Sequence, residues 1–319
     1  MMTERFNKQI FHGLCCKGDY NQVMAYLNRV IGGKRLAVKL KGIFKNGEYV
    51  LKSKNLEVSE FLRVYEDYLK WALVSGVTTD QCKEYLLDKL SYLFPNVAKY
   101  DSDFENMIME YLGKRGYFAL FGTTAPYPDL YLWKRQTIRK MPIELPYGIV
   151  NIDVCVMKGV VTKGWLSYLS LGKTGTGGWV TPTGTNYFAK SYNTFSPSFK
   201  IGLLKHEAQH FYDKQHYPDI ESADLEYRAK LVELIYYKNP EPMLYHLVLG
   251  MMGDEDGNDC KTNPHGHANR RIATELSMRL FGKELETNRS LWKGQGNKIS
   301  VAARELLDEN TSNLGDCTI

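Results

Sequence analysis

Leu203-Leu204-Lys205-His206-Glu207-Ala208-Gln209-His210-Phe211-Tyr212-Asp213 is the stretch on which the reading of this chain turns. Its apolar residues, Leu203, Leu204, Ala208 and Phe211, recur at helical spacing, so the segment reads as a core helix with polar residues in its interior. Four residues is just over one helical turn. His206 and His210 therefore share a face, and both can direct a ring nitrogen at one ion. Glu207 is offset by one position, which places its carboxylate beside a water near that ion, where a general base belongs. With seven His in the chain, two at this spacing with a Glu between arise by accident in about one such sequence in a hundred. Buried imidazoles need partners, and a divalent ion satisfies two of them at once.

Working outward, Tyr217-Pro218-Asp219 breaks this helix, and Asp219 or Ser222 is expected to cap a second one that contains Ala223 to Leu231. A short loop returns the second helix antiparallel across His206 and His210, so one of its carboxylates can complete a coordination sphere. Glu221, Asp224, Glu226 and Glu233 all compete for that role, although first-turn acids such as Glu221 and Asp224 already suit the helix dipole. Asp213 can orient a ligand histidine through its second ring nitrogen or can be a solvated helix-end acid.

His206-Glu207-Ala208-Gln209-His210 followed by Glu226-Tyr227-Arg228-Ala229 resembles the gluzincin branch of the zinc metallopeptidases. The resemblance covers chiefly residues 178–234. It implies one zinc per chain held by His206, His210 and Glu226, Glu207 as the catalytic carboxylate, and a peptide or protein substrate. The metzincin extension is absent, since His216 stands six residues after His210 without the required glycine. Lys230 occupies a place where many gluzincins carry aspartate. Two other classes remain open, a zinc-dependent non-peptidase amidase or esterase and a binding protein with an incidental motif.

Neighbouring segments add weaker signals. Gly175-Thr176-Gly177-Gly178-Trp179-Val180 reads as a glycine-lined strand that a substrate backbone can approach, or as a plain turn before a strand. Gly172-Lys173-Thr174 ends like a phosphate-binding loop, but Ser167 stands where that loop requires glycine, so no nucleotide site is read there. His265 or His267, near the start of a later helix, could stabilise an oxyanion or simply belong to a helix end.

The resulting expectation is an α+β protein. Residues 1–115 form a mainly helical region with one β-hairpin, and residues 116–319 form a zincin-like metallohydrolase domain, with a small mixed sheet and the His206 helix packed on the Glu226 helix. The hairpin is expected from the alternation of Leu36, Val38 and Leu40 followed by Asn46-Gly47. Further helices are expected at 20–30, 58–75, 79–93, 102–114, 241–252, 267–281 and 299–307, and strands near 117–121, 137–145, 149–157, 165–171, 178–180 and 186–192.

Composition bounds the function. A formal charge of +5, from 41 basic and 36 acidic residues, lacks the concentrated basic face of a nucleic-acid binder. Without an apolar run long enough for a signal peptide or a membrane span, a cytoplasmic protein is expected. The six Cys (Cys15, Cys16, Cys82, Cys155, Cys260 and Cys317) show no C-x-x-C spacing and read as reduced, mostly buried thiols. Oligomeric state is not readable from the sequence.

Overall fold

The computed structural model describes residues 4–181, 184–252 and 263–316. The chain forms two compact units, one of residues 1–137 and 157–177, the other of residues 138–156 and 178–319. The boundary expected after residue 115 falls within the first unit.

The first unit begins with helices α1 (Lys8–Cys16), α2 (Tyr20–Arg29), α3 (Lys34–Lys45), α4 (Leu56–Ser75), α5 (Thr79–Leu90) and α6 (Ser102–Gly113). Its core is built on one apolar stripe of α4, on which Phe61, Tyr65, Tyr68, Leu69 and Ala72 are fully buried. Thr78 caps α5 through a reciprocal capping box with Gln81. Strand β1 (Phe118–Thr124) pairs antiparallel with the first part of β2 (Tyr127–Leu145), Phe118 opposite Trp133 and Thr124 opposite Tyr127.

Two expectations in this unit are corrected. The segment expected to be a hairpin is α3. Leu36, Val38 and Leu40 alternate, but Ala37, Leu40 and Ile43 recur every three residues and are the buried set, while Val38 is 63% exposed. Asn46-Gly47 is no hairpin turn; Asn46 is the C-cap of α3, and Gly47 follows at φ +74°. Leu40→Ala is accordingly expected to cost about 2–5 kcal/mol and Val38→Ala to stay within about 0.5 kcal/mol, measured by urea unfolding. Comparable losses at both sites would favour the shared strand face.

The second correction is at Trp165–Leu171, where a strand was expected and the short helix α7 (Gly164–Leu169) forms. Gly164 turns the chain out of strand β3 (Gly148–Lys163) at φ +82°. The buried Asp129 carboxylate then accepts from Trp165 N at 2.8 Å, holding the first turn.

The second unit takes the rest of the long β2–β3 pair together with β4 (Gly178–Thr181) and β5 (Gly184–Phe188). The five-stranded sheet has the order β1-β2-β3-β5-β4, which leaves β4 at an edge. Gly184 allows a close approach: a Cβ there would sit 1.9 Å from Asp153 O. After α8 (Pro197–Phe199), a π-helical turn over Lys200–Lys205 runs directly into α9 (His206–His216). Then come α10 (Ser222–Tyr236), α11 (Glu241–Met252), α12 (Pro264–Phe281), α13 (Arg289–Trp292) and α14 (Gly296–Asp316). Ile143, Ile152 and Val154 from the strands join Leu203, Leu204, Ala208, Tyr227, Leu231 and Leu307 in one core. Neither Asp219 nor Ser222 caps α10; Glu221 holds the N-cap position, with no side-chain bond.

Cys15, Cys82 and Cys155 are buried free thiols and Cys16 is exposed, whereas Cys260 and Cys317 lie outside the described residues. Among the described residues no helix is long and apolar enough to cross a membrane.

Candidate metal centre

His206 and His210 occupy the first two turns of α9, and their rings lie 4.6 Å apart, centroid to centroid, nearly perpendicular. Helix α10 returns against α9 and brings Glu226 to them. Glu226 Oε2 is 3.6 Å from His206 Nε2, and its Oε1 is 3.3 Å from His210 Nε2. One ligand atom from each of the three residues lies within 4.8 Å of the others. Metal–ligand bonds of about 2.0–2.2 Å in a tetrahedron put neighbouring donors about 3.3–3.6 Å apart, the range of the two contacts, which the two oxygens of Glu226 make one each.

Charge suits a cation as well as distance does. Burial pushes the His206 ring down to about 3, with His210 adding to the effect, so this imidazole is neutral. Burial alone would raise the Glu226 carboxyl. Hydrogen bonds from His210 and His265 and the charge of Lys230 outweigh it and hold the carboxyl well below the usual range. A neutral imidazole beside an ionised carboxylate is the protonation state a divalent ion requires.

The rival carboxylates go elsewhere. Asp224 accepts from Arg271 Nη1 at 2.9 Å, and Glu221 is exposed at the start of α10. Glu233 lies 2.7 Å from His206 Nδ1, and burial pushes its carboxyl up to about 8 against the pull of Lys230, so the Glu233–His206 pair is uncharged. An imidazole that gives its Nε2 lone pair to an ion keeps its proton on Nδ1, where Glu233 is placed to accept it. Sequence reasoning offered that orienting role to Asp213, with a solvated helix-end acid as the alternative, and weighed Glu233 only as a ligand. The available signal was the seven-residue spacing of Glu226 and Glu233, two turns that align both on one face of α10.

Asp213 is instead fully buried with Arg228, its Oδ1 2.9 Å from Arg228 Nε and 2.8 Å from Gln209 Nε2. Arg228 Nη1 donates to Asn310 Oδ1 and Thr311 Oγ1, each at 2.9 Å. One guanidinium thus fastens α10 to α9 and α14, and with them the approach of Glu226 to the histidines. Lys230 Nζ donates to Glu226 Oε2 at 3.2 Å, so the residue that departs from the gluzincin pattern bears directly on the proposed ligand.

Glu207 is half-buried in the first turn of α9. Among the described residues its carboxylate carries no hydrogen bond or ion pair. Of the two later histidines, His265 comes to the site, its Nδ1 2.8 Å from Glu226 Oε2. Asn263 caps its helix by accepting from Gly266 N. Strand β4, with Gly178 opposite Tyr187, packs against α9. No family model matches the chain, and no curated protein or solved structure was found to match it.

Proposed function

We propose that this protein is a zinc-dependent metallopeptidase, with one zinc held by His206, His210 and Glu226 and with Glu207 as general base. The observation that carries the proposal is the convergence of two imidazoles and an ionised carboxylate at tetrahedral spacing. Two nitrogens and one oxygen suit zinc's tetrahedral habit and leave a fourth position open. The zincin-like reading of the second unit belongs to the same proposal.

Bound there, zinc supplies a Lewis acid that polarises a carbonyl and makes a neighbouring water acidic. The remaining work falls to the chain. Glu207, which among the described residues has no hydrogen bond or ion pair to give up, takes a proton from the attacking water and returns it to the leaving amine. Glu233 holds His206 in the required orientation. His265, 66% exposed and movable on the first turn of α12, can turn from Glu226 towards a developing oxyanion. An extended peptide can add to β4, the edge strand beside α9, through backbone hydrogen bonds.

Elemental analysis tests the centre. Purified protein is expected to contain close to one zinc per chain, and His210→Ala and Glu226→Ala to lose it, because two remaining donors bind too weakly. Glu221→Ala and Asp224→Ala should keep the metal. Full zinc in His210→Ala, or loss of zinc from Asp224→Ala but not from Glu226→Ala, would overturn the ligand set.

A further inference from the structure

Helix α1 presents two stripes to different surroundings. Phe11 and Cys15, four residues apart, are buried in the core of the first unit, whereas His12 and Cys16, one position on and at the same spacing, are exposed. Asn7 fixes the start of the helix by accepting from Gln9 N and Ile10 N. On the exposed stripe Cys16 Sγ lies 3.6 Å from His12 Nε2, within reach of a hydrogen bond to sulfur.

The other ring nitrogen is held from a second element. Thr174, in the turn that follows α7, meets His12 Nδ1 with its Oγ1. That turn is tied to the core: Ser170, fully buried, donates from Oγ to Thr174 O at 2.9 Å and accepts from Thr174 N at 3.1 Å. When Nδ1–H donates to Thr174, Nε2 is left with its lone pair towards the Cys16 thiol. A nucleophile, a base and a third group that orients the base thus stand in one row, the order in which such groups activate a side chain.

Partial burial of the sulfur pushes the Cys16 thiol up from its ordinary value, so at neutral pH it is protonated and attack on an electrophile needs a base. His12 and Thr174 also join Gln9 and Phe11 in the wall of a surface cavity of about 340 Å³, room for a small reagent. Cys15, Cys82 and Cys155 are buried, so an adduct formed at Cys16 is not passed on to them. We propose that Cys16 is a modification site, a thiol that His12 activates for exchange with a low-molecular-weight disulfide. The Cys16 sulfur attacks one sulfur of the disulfide while its S–H proton passes to His12 Nε2. The new S–S bond joins Cys16 to one half of the reagent. The old S–S bond breaks and releases the other half as a thiolate, which takes the proton back from His12. Cys16 is oxidised, the released half is reduced, and the disulfide is the only co-reactant.

Bis(2-hydroxyethyl) disulfide, small and neutral, is the probe. The full chain is incubated with it, and the rate of adduct formation at Cys16 is followed by mass spectrometry with peptide mapping. At neutral pH His12→Gln should slow that rate about tenfold, less than an enclosed general base contributes, because this pair faces water. In alkali, where the thiol ionises unaided, the two rates should converge, which a folding defect or a steric change at His12 would not produce. Thr174→Val should slow the exchange severalfold at neutral pH, and Thr174→Ser, which keeps the hydroxyl, should restore it. Absence of an adduct at Cys16, a parental rate in His12→Gln at neutral pH, or a deficit that persists unchanged in alkali would each overturn the proposal.

Discussion

The Glu207→Gln variant is expected to retain its full complement of zinc while turnover of an extended peptide falls by about a hundredfold or more, the scale of a positioned general base. Glutamine keeps the shape and the hydrogen-bonding reach of glutamate and loses only the ability to take a proton. The substitution leaves the three ligands untouched, and the Glu207 side chain has no partner among the described residues whose loss would disturb the fold. Metal content and thermal unfolding should therefore match the parent. Extended, unstructured peptides are the substrates to screen, because pairing along β4 does not depend on side-chain identity. Parental turnover in Glu207→Gln would refute the base assignment, and retained zinc in the same sample would show that the metal centre survives that refutation.

Arg228→Met should lower stability by about 3–5 kcal/mol, the usual cost of removing one partner of a buried ion pair. The methionine fills much of the space but leaves the Asp213 carboxylate, fully buried, without its counter-charge, and it strips a donor from Asn310 and Thr311. Burial already pushes the Asp213 carboxyl up, and Arg228 opposes that rise. Without the guanidinium the folded-state pKa climbs further above the unfolded one, so the charged form costs stability as pH rises through it. Urea unfolding should then show a loss that is larger at neutral pH than in mild acid, where protonation relieves it. Adding Asp213→Leu should recover part of the loss. A stability change below about 0.5 kcal/mol would place Arg228 among ordinary surface-like positions and contradict its burial.

What the sequence made legible follows from pattern length. Helices α4, α9 and α10 are long and strongly periodic, and the spacing of His206 and His210 depends only on that periodicity. Segment α3 was not legible because Leu36, Val38 and Leu40 fit a strand, while Ala37, Leu40 and Ile43 fit a helix. Only the packing of the first unit, which buries the second set, decides between them. Helix α7 is six residues long, too short for a period to emerge, and it is held by Asp129, 36 positions before Trp165, through a contact no local pattern could announce. Strand β2 begins ten residues before the expected start, since its Tyr127–Trp133 stretch is buried throughout and so does not alternate. At the candidate metal centre the histidine pair was local and readable, whereas the pairing of Glu233 with His206 spans 27 residues and that of Arg228 with Asn310 spans 82.

The division of the chain within β2 and β3 bears on how this protein can be made, cut and inherited. Residues 138–156 belong to the second unit although the first unit resumes at residue 157. No single cut separates the two: a fragment starting at Gly178 would lack Ile143, Leu145, Ile152 and Val154, all part of the core beneath α9 and α10. During synthesis residues 138–156 are made before the helices they pack against. A gene fragment encoding the histidine helices alone would carry the ligands without the floor that supports them, so the two units are expected to be transmitted together and not as exchangeable modules.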